Sequence, residues 1–267
     1  MIIKKCIHTH ISNKFLLIKM IENSLDDKNS ELYYSLKHAG VQFDSIIDIN
    51  FNSWAVQPVY KFKIVANNAE PSPSSLAHEL LHIYCNVNGF VDTFTIIDIF
   101  KSNNTRFKTE CISDIQNLLA HLKMFPFFLK LGYNINEFYL NYGDKLIRET
   151  LIPNFITLGV IFKINKELNC KPSIDIITTF FQLVLILKQI EMEEDYQQIK
   201  NQSSEYSELL IGYDEELFNT FNDELNAWLG SETFSNYDFY ININEKLQNL
   251  GYPIENEWEA WMYNNKT

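Results

Sequence analysis

Two histidines and a glutamate stand at a spacing that can hold a metal ion and perform acid–base chemistry. His78, Glu79 and His82 lie in the sequence His-Glu-Leu-Leu-His. Residues four apart on a helix share a face, so the imidazoles of His78 and His82 can reach one ion. Glu79 could then take a proton from a water molecule that the metal activates. The segment therefore predicts a catalytic zinc site.

A catalytic zinc ion needs a third protein ligand, and a polar stripe further along the chain offers candidates. Glu110, Asp114, Asn117 and His121 fall within a sector about 60° wide if this segment is a helix. One carboxylate could bind the ion while the other, one turn away, hydrogen-bonds a ligand histidine. Without a metal, the same stripe would be the solvent-facing side of an amphipathic helix.

Together the two segments resemble the gluzincin metallopeptidases, the thermolysin-like group. Residues 78–82 (HELLH) match its HExxH pattern, and residues 110–114 (ECISD) match its ExxSD pattern. The resemblance implies that the zinc ligands are His78, His82 and Glu110, with Glu79 as the general base and Asp114 as a carboxylate supporting a ligand histidine. It also implies that the strand near residues 59–65 binds an extended peptide by edge addition.

The chain departs from the family pattern around the third ligand. Thr109 stands where the family usually has asparagine, and the step from His82 to Glu110 is longer than in the thermolysin type. Asp114 or His121 could therefore take the place of Glu110 as a metal ligand. Tyr133, Arg106 and His121 are further candidates, for stabilising the transition state.

The segments around the motif predict the elements that position it. Residues 44–51 and 59–65 alternate β-branched or aromatic residues with polar ones, which predicts two strands, the second an edge strand. A helix is expected to begin at Ser72 or Ser74 and to end before Gly89. Beyond residue 105 almost every segment is expected to be helical, beginning with separate helices over residues 105–125 and 126–132.

These elements predict an α+β, zincin-like fold. It would contain a small N-terminal mixed or antiparallel sheet, the site helices and a mainly α-helical C-terminal lobe. Residues 1–150 would form the metallopeptidase core and residues 151–267 the helical lobe, either as two domains or as one continuous unit.

Composition excludes several classes of partner. The chain has 22 Lys and Arg residues against 34 Asp and Glu residues, for a formal charge of −12, which argues against binding nucleic acid or anionic membranes. Its four cysteines are widely spaced and no secretory leader is visible, so a cytoplasmic location is expected.

Three hypotheses about function follow. In the first, the protein is a zinc-dependent peptidase that acts on a peptide or protein substrate. In the alternative, it is a catalytically inactive zincin-like domain serving as a protein-interaction or regulatory module. The acidic segment 191–208 and the aromatic residues Trp258, Trp261 and Tyr263 motivate that alternative. In the third, the HExxH pattern is a coincidence and no metal binds.

Overall fold

The chain forms two compact units, each built from two separate stretches of sequence. The computed structural model describes residues 19–47, 55–59, 61–66, 72–102, 111–138, 142–168, 170–197 and 203–252. The first unit consists of Met1–Val87 with Met124–Tyr142, and the second of Asn88–Lys123 with Gly143–Thr267.

The first unit combines short strands with helices. In chain order its elements are α1 (Ser30–His38), β1 (Asp44–Ile47), β2 (Ala55–Val59), β3 (Lys61–Ala66), α2 (Pro73–Val87), the end of α4 (Ile112–Lys130) and α5 (Ile135–Phe138). The strands are ordered β1-β3-β2, with β1 parallel and β2 antiparallel to β3.

The prediction of an α+β, zincin-like fold is wrong. The described part of the chain is predominantly helical, and its strands are only four to six residues long. A sheet this small is not one of the layers that would define an α+β protein. The strand order corrects a second expectation. Because β3 lies between β1 and β2, both of its edges are already paired, and it cannot accept a peptide strand.

Local chemistry explains the helix that carries the HExxH segment. The Ser72 hydroxyl accepts a hydrogen bond from the backbone N–H of Ser75 at 3.1 Å, which caps the start of α2. Gly89, with φ of 104°, adopts the left-handed conformation that ends helices. The predicted start and end of this helix are therefore confirmed. Its Leu80 and Ile83 side chains are fully buried against Tyr33 of α1 and neighbouring residues, which fixes the orientation of the helix.

The regular elements described in the second unit are all helices. Its elements are α3 (Thr93–Ser102), the start of α4, α6 (Tyr142–Leu168, from Gly143), α7 (Ile174–Gln197), α8 (Ser203–Tyr213), α9 (Glu215–Gly230) and α10 (Tyr237–Asn249). Stacked aromatic rings fill its core, among them Phe181 and Phe221 with centroids 4.5 Å apart. Among the described helices, none combines the length and the apolar character needed to cross a bilayer.

Two buried polar side chains bind the second unit together. The Nζ atom of Lys123 donates to the backbone carbonyls of Trp228 at 3.1 Å and Ser231 at 2.9 Å. These bonds supply a donor to carbonyl groups at the C-terminal end of α9. Asn236 accepts a hydrogen bond from the N–H of Val91 at 2.9 Å and donates to the Gln116 side chain at 2.7 Å. Since both side chains are almost completely buried, these bonds hold α4 firmly in the unit.

Candidate metal centre

Helix α2 brings the two histidines of the HExxH segment side by side. Their Nε2 atoms are 3.2 Å apart, and their ring centroids are separated by 5.0 Å. The His78 side chain is buried and that of His82 is partly buried. Without a metal, one ring N–H donates to the other ring's nitrogen. With a metal present, both Nε2 atoms could bind the same ion.

A third imidazole, that of His121, joins this pair. One nitrogen from each of His78, His82 and His121 lies within 4.8 Å of the others. His121 is buried and belongs to α4, a helix that contributes residues to both units because their division falls between Lys123 and Met124. The three side chains therefore form a buried group that could hold a metal ion.

The spacing of the three nitrogens suits a small transition-metal ion. With Zn–N bonds of about 2.0–2.1 Å, tetrahedral geometry places ligand nitrogens about 3.3–3.4 Å apart. The 3.2 Å between His78 and His82 is already close to this value. Three nitrogens that lie mutually within 4.8 Å can all be reached from one point about 2.8 Å away or less. Each nitrogen would therefore have to move by less than about 1 Å to reach bonding distance from a zinc ion at that point.

Burial favours the protonation state that metal binding requires. It lowers the pKa of His82 to about 4, because removal from water penalises the charged imidazolium. The imidazole of His82 is therefore neutral near pH 7 and has a nitrogen lone pair available for a metal.

Glu79 is the sequence neighbour of His78, and an aromatic ring contacts the His78 imidazole. Glu79 follows His78 on α2, and its side chain is only 3% exposed. Its carboxylate does not belong to the group of three imidazoles. The ring centroids of Phe138 on α5 and of His78 are 4.9 Å apart, so the Phe138 ring shields one side of the His78 imidazole. Nothing in the sequence singled out Phe138, since its contact with α2 arises only from tertiary packing.

Of the other predicted site residues, those that the structure describes do not belong to the three-histidine group. Glu110 and Arg106 lie outside the described residues. Asp114 is exposed near the start of α4 and is not part of the three-histidine group. It shares a helical face with His121 but lies two turns away, about 10 Å along the axis. The Tyr133 hydroxyl donates to Asp26 at 2.8 Å, and burial raises its pKa, so this phenol is engaged in holding the first unit together.

Of the two candidates for the third ligand that the structure describes, Asp114 and His121, it is His121 that lies with the histidine pair. The sequence contained a signal for it, because His121 continues the polar stripe that begins at Glu110. The resemblance to the gluzincins gave Glu110 precedence. Comparisons with models of protein families, with curated proteins and with solved structures gave no match. The resemblance therefore rests on the motif residues alone.

Proposed function

We propose that this protein is a zinc-dependent peptidase whose metal is held by His78, His82 and His121. The observation that carries the proposal is the group of three imidazoles within 4.8 Å, two of them already near the spacing of zinc ligands. Three protein ligands leave a fourth position for water or substrate, as in catalytic zinc sites. Glu110, which lies outside the described residues, remains an alternative for the third position, and variants can separate it from His121.

Glu79 would act as the general base. It would accept the proton of the attacking water and deliver it to the leaving amine. When bound, zinc would polarise the scissile carbonyl and make water a better nucleophile. The imidazoles of His78 and His82 would stay neutral and hold the ion, while the Phe138 ring would keep bulk water from one side of the site.

A peptide substrate could be held by the sheet at β2 instead of β3. The backbone of β2 lies beside α2, and in the described sheet β2 is an edge strand. An extended peptide could add its own main-chain hydrogen bonds to such an edge. Pro58 within β2 has no N–H, so this edge would offer fewer donors than a regular strand.

For the whole chain, we propose a cytoplasmic enzyme that acts on peptides or proteins and binds neither nucleic acid nor membranes. The wide spacing of the cysteines and the net charge of −12 support this view.

A second function is favoured by the burial of the site. His78 and His121 are 3% and 4% exposed, so a metal held by these side chains would be poorly accessible to a peptide substrate. In this alternative, the metal stabilises a non-catalytic domain that contacts other proteins.

The metal content of the purified full chain tests the site itself. We expect about one zinc per chain in the wild type, and a large loss in His78→Ala, His82→Ala and His121→Ala variants. His38 is exposed on α1, so His38→Ala is the matched control and should retain the metal. Full metal content in His121→Ala, with loss in Glu110→Ala or Asp114→Ala, would move the third ligand to that carboxylate. Absence of metal from the wild type, even after added zinc, would overturn the proposal.

The Glu79→Gln variant separates the two functions. Digests of a peptide mixture, read by mass spectrometry, should show cleavage by the wild type and none by Glu79→Gln, while both proteins contain zinc. Cleavage by Glu79→Gln at the wild-type rate would refute the proposed mechanism. A zinc-loaded wild type without any cleavage would favour the structural site.

A further inference from the structure

Helix α6 has apolar residues on two opposite sides. On one side, Phe155, Leu158 and Phe162 are buried in the second unit. The Phe155 ring stacks on Tyr206, with centroids 5.0 Å apart, and the Phe162 ring stacks on Tyr213 at 6.1 Å. These contacts account for the attachment of α6 to its own unit, and they leave the opposite side of the helix unexplained.

The opposite side of α6 carries aliphatic residues that face solvent. They recur every four residues and are 64%, 55%, 47% and 69% exposed, in the order Ile156, Val160, Ile164 and Leu168. At 100° per residue, their mean direction is nearly opposite to that of the buried side. A surface helix normally presents polar residues there, and a contiguous apolar patch marks an interaction site. We call these four residues the aliphatic stripe.

The charged residues nearest to the aliphatic stripe are one base and one acid. Lys163 and Glu167 are exposed and lie one helical turn apart, on the row of residues next to the stripe. Lys166 is also exposed, but it projects from the side of the buried residues. Because the chain carries a formal charge of −12, two copies repel each other overall. This face, with one charge of each sign, is a place where two copies can meet without adding to that repulsion.

We propose that two copies of this chain pack against each other through the aliphatic stripe, with their α6 helices running in opposite directions about a two-fold axis near Val160 and Ile164. Rows of residues four apart are the ridges that interlock in the commonest class of helix contact, in which the helix axes cross at about −50°. A two-fold interface uses the same surface on both copies, and the stripe is aliphatic along its whole length, so it can serve as both halves of the contact.

Lys163 and Glu167 decide the direction in which the two helices run. When the rows of residues four apart are aligned and run in opposite directions, Lys163 of each copy lies next to Glu167 of the partner subunit. Two ion pairs then border the contact on the same flank. If the helices ran in the same direction, the charged rows of the two copies would lie on opposite flanks, and no ion pair would form. Charge complementarity therefore favours the antiparallel arrangement.

The size of the stripe indicates how strongly the two copies associate. From Ile156 to Leu168, α6 is about 18 Å long, and a helix with its side chains is about 10–12 Å wide, so this face measures about 200 Å² on each copy. Stable complexes bury about 600 Å² or more of each partner. We therefore expect a weak dimer in exchange with the monomer, with a dissociation constant of the order of 100 µM. This dimer does not depend on the proposed metal site.

Sedimentation equilibrium of the full chain, from about 5 to about 500 µM, measures this association. We expect the average mass of the wild type to rise towards that of a dimer. Ile164→Asp should raise the dissociation constant at least about 30-fold, because it places two carboxylates in the apolar contact. Ile211→Asp is the matched control and should change the constant less than about threefold. Ile211 is 38% exposed, against 47% for Ile164, and lies on the side of α8 away from the tyrosines that stack on α6.

Charge reversal tests the antiparallel arrangement. Lys163→Glu and Glu167→Lys should each raise the dissociation constant about tenfold, because each replaces two ion pairs by two like-charge contacts. The double variant, in which the two charges are exchanged, should return to within about threefold of the wild type. Lys166→Glu changes the net charge by the same amount as Lys163→Glu and should have little effect.

Each outcome of these measurements decides the proposal. Association that is lost in Ile164→Asp, kept in Ile211→Asp and restored by the double charge exchange supports it. A wild type that stays monomeric up to the highest concentration would overturn it. Association that survives Ile164→Asp, or that the double exchange does not restore, would overturn it as well. Circular dichroism of each variant shows whether the fold is intact, and the charge variants keep the test decisive if Ile164→Asp does not fold.

Discussion

The sharpest structural prediction concerns Gly159 on the inner side of α6. A Cβ atom at this position would lie 2.8 Å from the hydroxyl oxygen of Tyr213 and 3.0 Å from two of its ring carbons. The Tyr213 ring cannot easily withdraw, because its hydroxyl donates to the Phe155 carbonyl at 3.0 Å and its face stacks on Phe162. We therefore expect Gly159→Ala to destabilise the protein.

The size of this effect follows from three contributions. Overpacking against a rigid ring costs about 1–3 kcal/mol. Displacing the Tyr213 hydroxyl costs about 1 kcal/mol in hydrogen bonding. The higher helix propensity of alanine returns about 1 kcal/mol. The free energy of unfolding should therefore fall by about 1–3 kcal/mol, and each kcal/mol should lower the melting temperature by about 2–4 °C.

Gly212 on α8 offers the matched control. Nothing lies within 4 Å of a Cβ atom at that position, so Gly212→Ala should leave the protein unchanged or stabilise it by up to about 1 kcal/mol. Urea unfolding followed by circular dichroism gives the midpoint and slope for wild type and both variants. If Gly159→Ala proves as stable as Gly212→Ala, the close contact with Tyr213 is refuted.

Three further predictions concern the metal and the buried polar groups. Zinc at 100 times its dissociation constant should stabilise the wild type and His38→Ala by about 2.7 kcal/mol. His121→Ala should gain much less in the same thermal scans, and equal gains would exclude His121 as a ligand. Lys123→Met should lower the free energy of unfolding by about 2–4 kcal/mol, because carbonyls at the end of α9 lose a charged donor. A loss below about 0.5 kcal/mol in urea unfolding would contradict that role. Asn236→Ala should cost about 2–3 kcal/mol through its two buried partners, whereas Asn242→Ala, at an exposed site, should stay within about 0.5 kcal/mol; similar losses would argue against the buried network.

Features that depend on residues close together in the sequence could be predicted from it. The start of α2 depends on Ser72 and its end on Gly89, and both act within one turn of the helix. The order of the strands could not be predicted in this way. Alternating residues indicate that a strand forms, but pairing with β1 and β2 is decided by distant parts of the chain.

Pro126 shows how packing can override a local signal. The sequence predicted separate helices over residues 105–125 and 126–132, yet α4 continues through this point from Ile112 to Lys130. Proline in a helix costs about 3 kcal/mol. Met124, Phe125 and Phe128 are almost completely buried around it, and each contributes about 1.5–3 kcal/mol when buried. Their burial outweighs the cost of the proline.

In the candidate site, too, one part could be predicted from local sequence and another part depends on tertiary packing. The pairing of His78 and His82 follows from helical spacing, and the structure places their nitrogens 3.2 Å apart. The approach of His121 depends on the packing of α4, which no local pattern encodes. The family motif favoured Glu110 as the third metal ligand. The polar stripe contains both Glu110 and His121, and it gave no physical reason to prefer either of them.

The discontinuous first unit has a consequence for synthesis on the ribosome. Its helix α2 is complete at Val87, but its remaining residues, Met124–Tyr142, come later in the chain. At translation rates of about 5–20 residues per second, the intervening stretch of about 55 residues takes about 3–11 seconds. During that interval, the apolar side of α2 has not yet received all of its partners. A chaperone that binds exposed apolar segments would find its target on the nascent chain in this window.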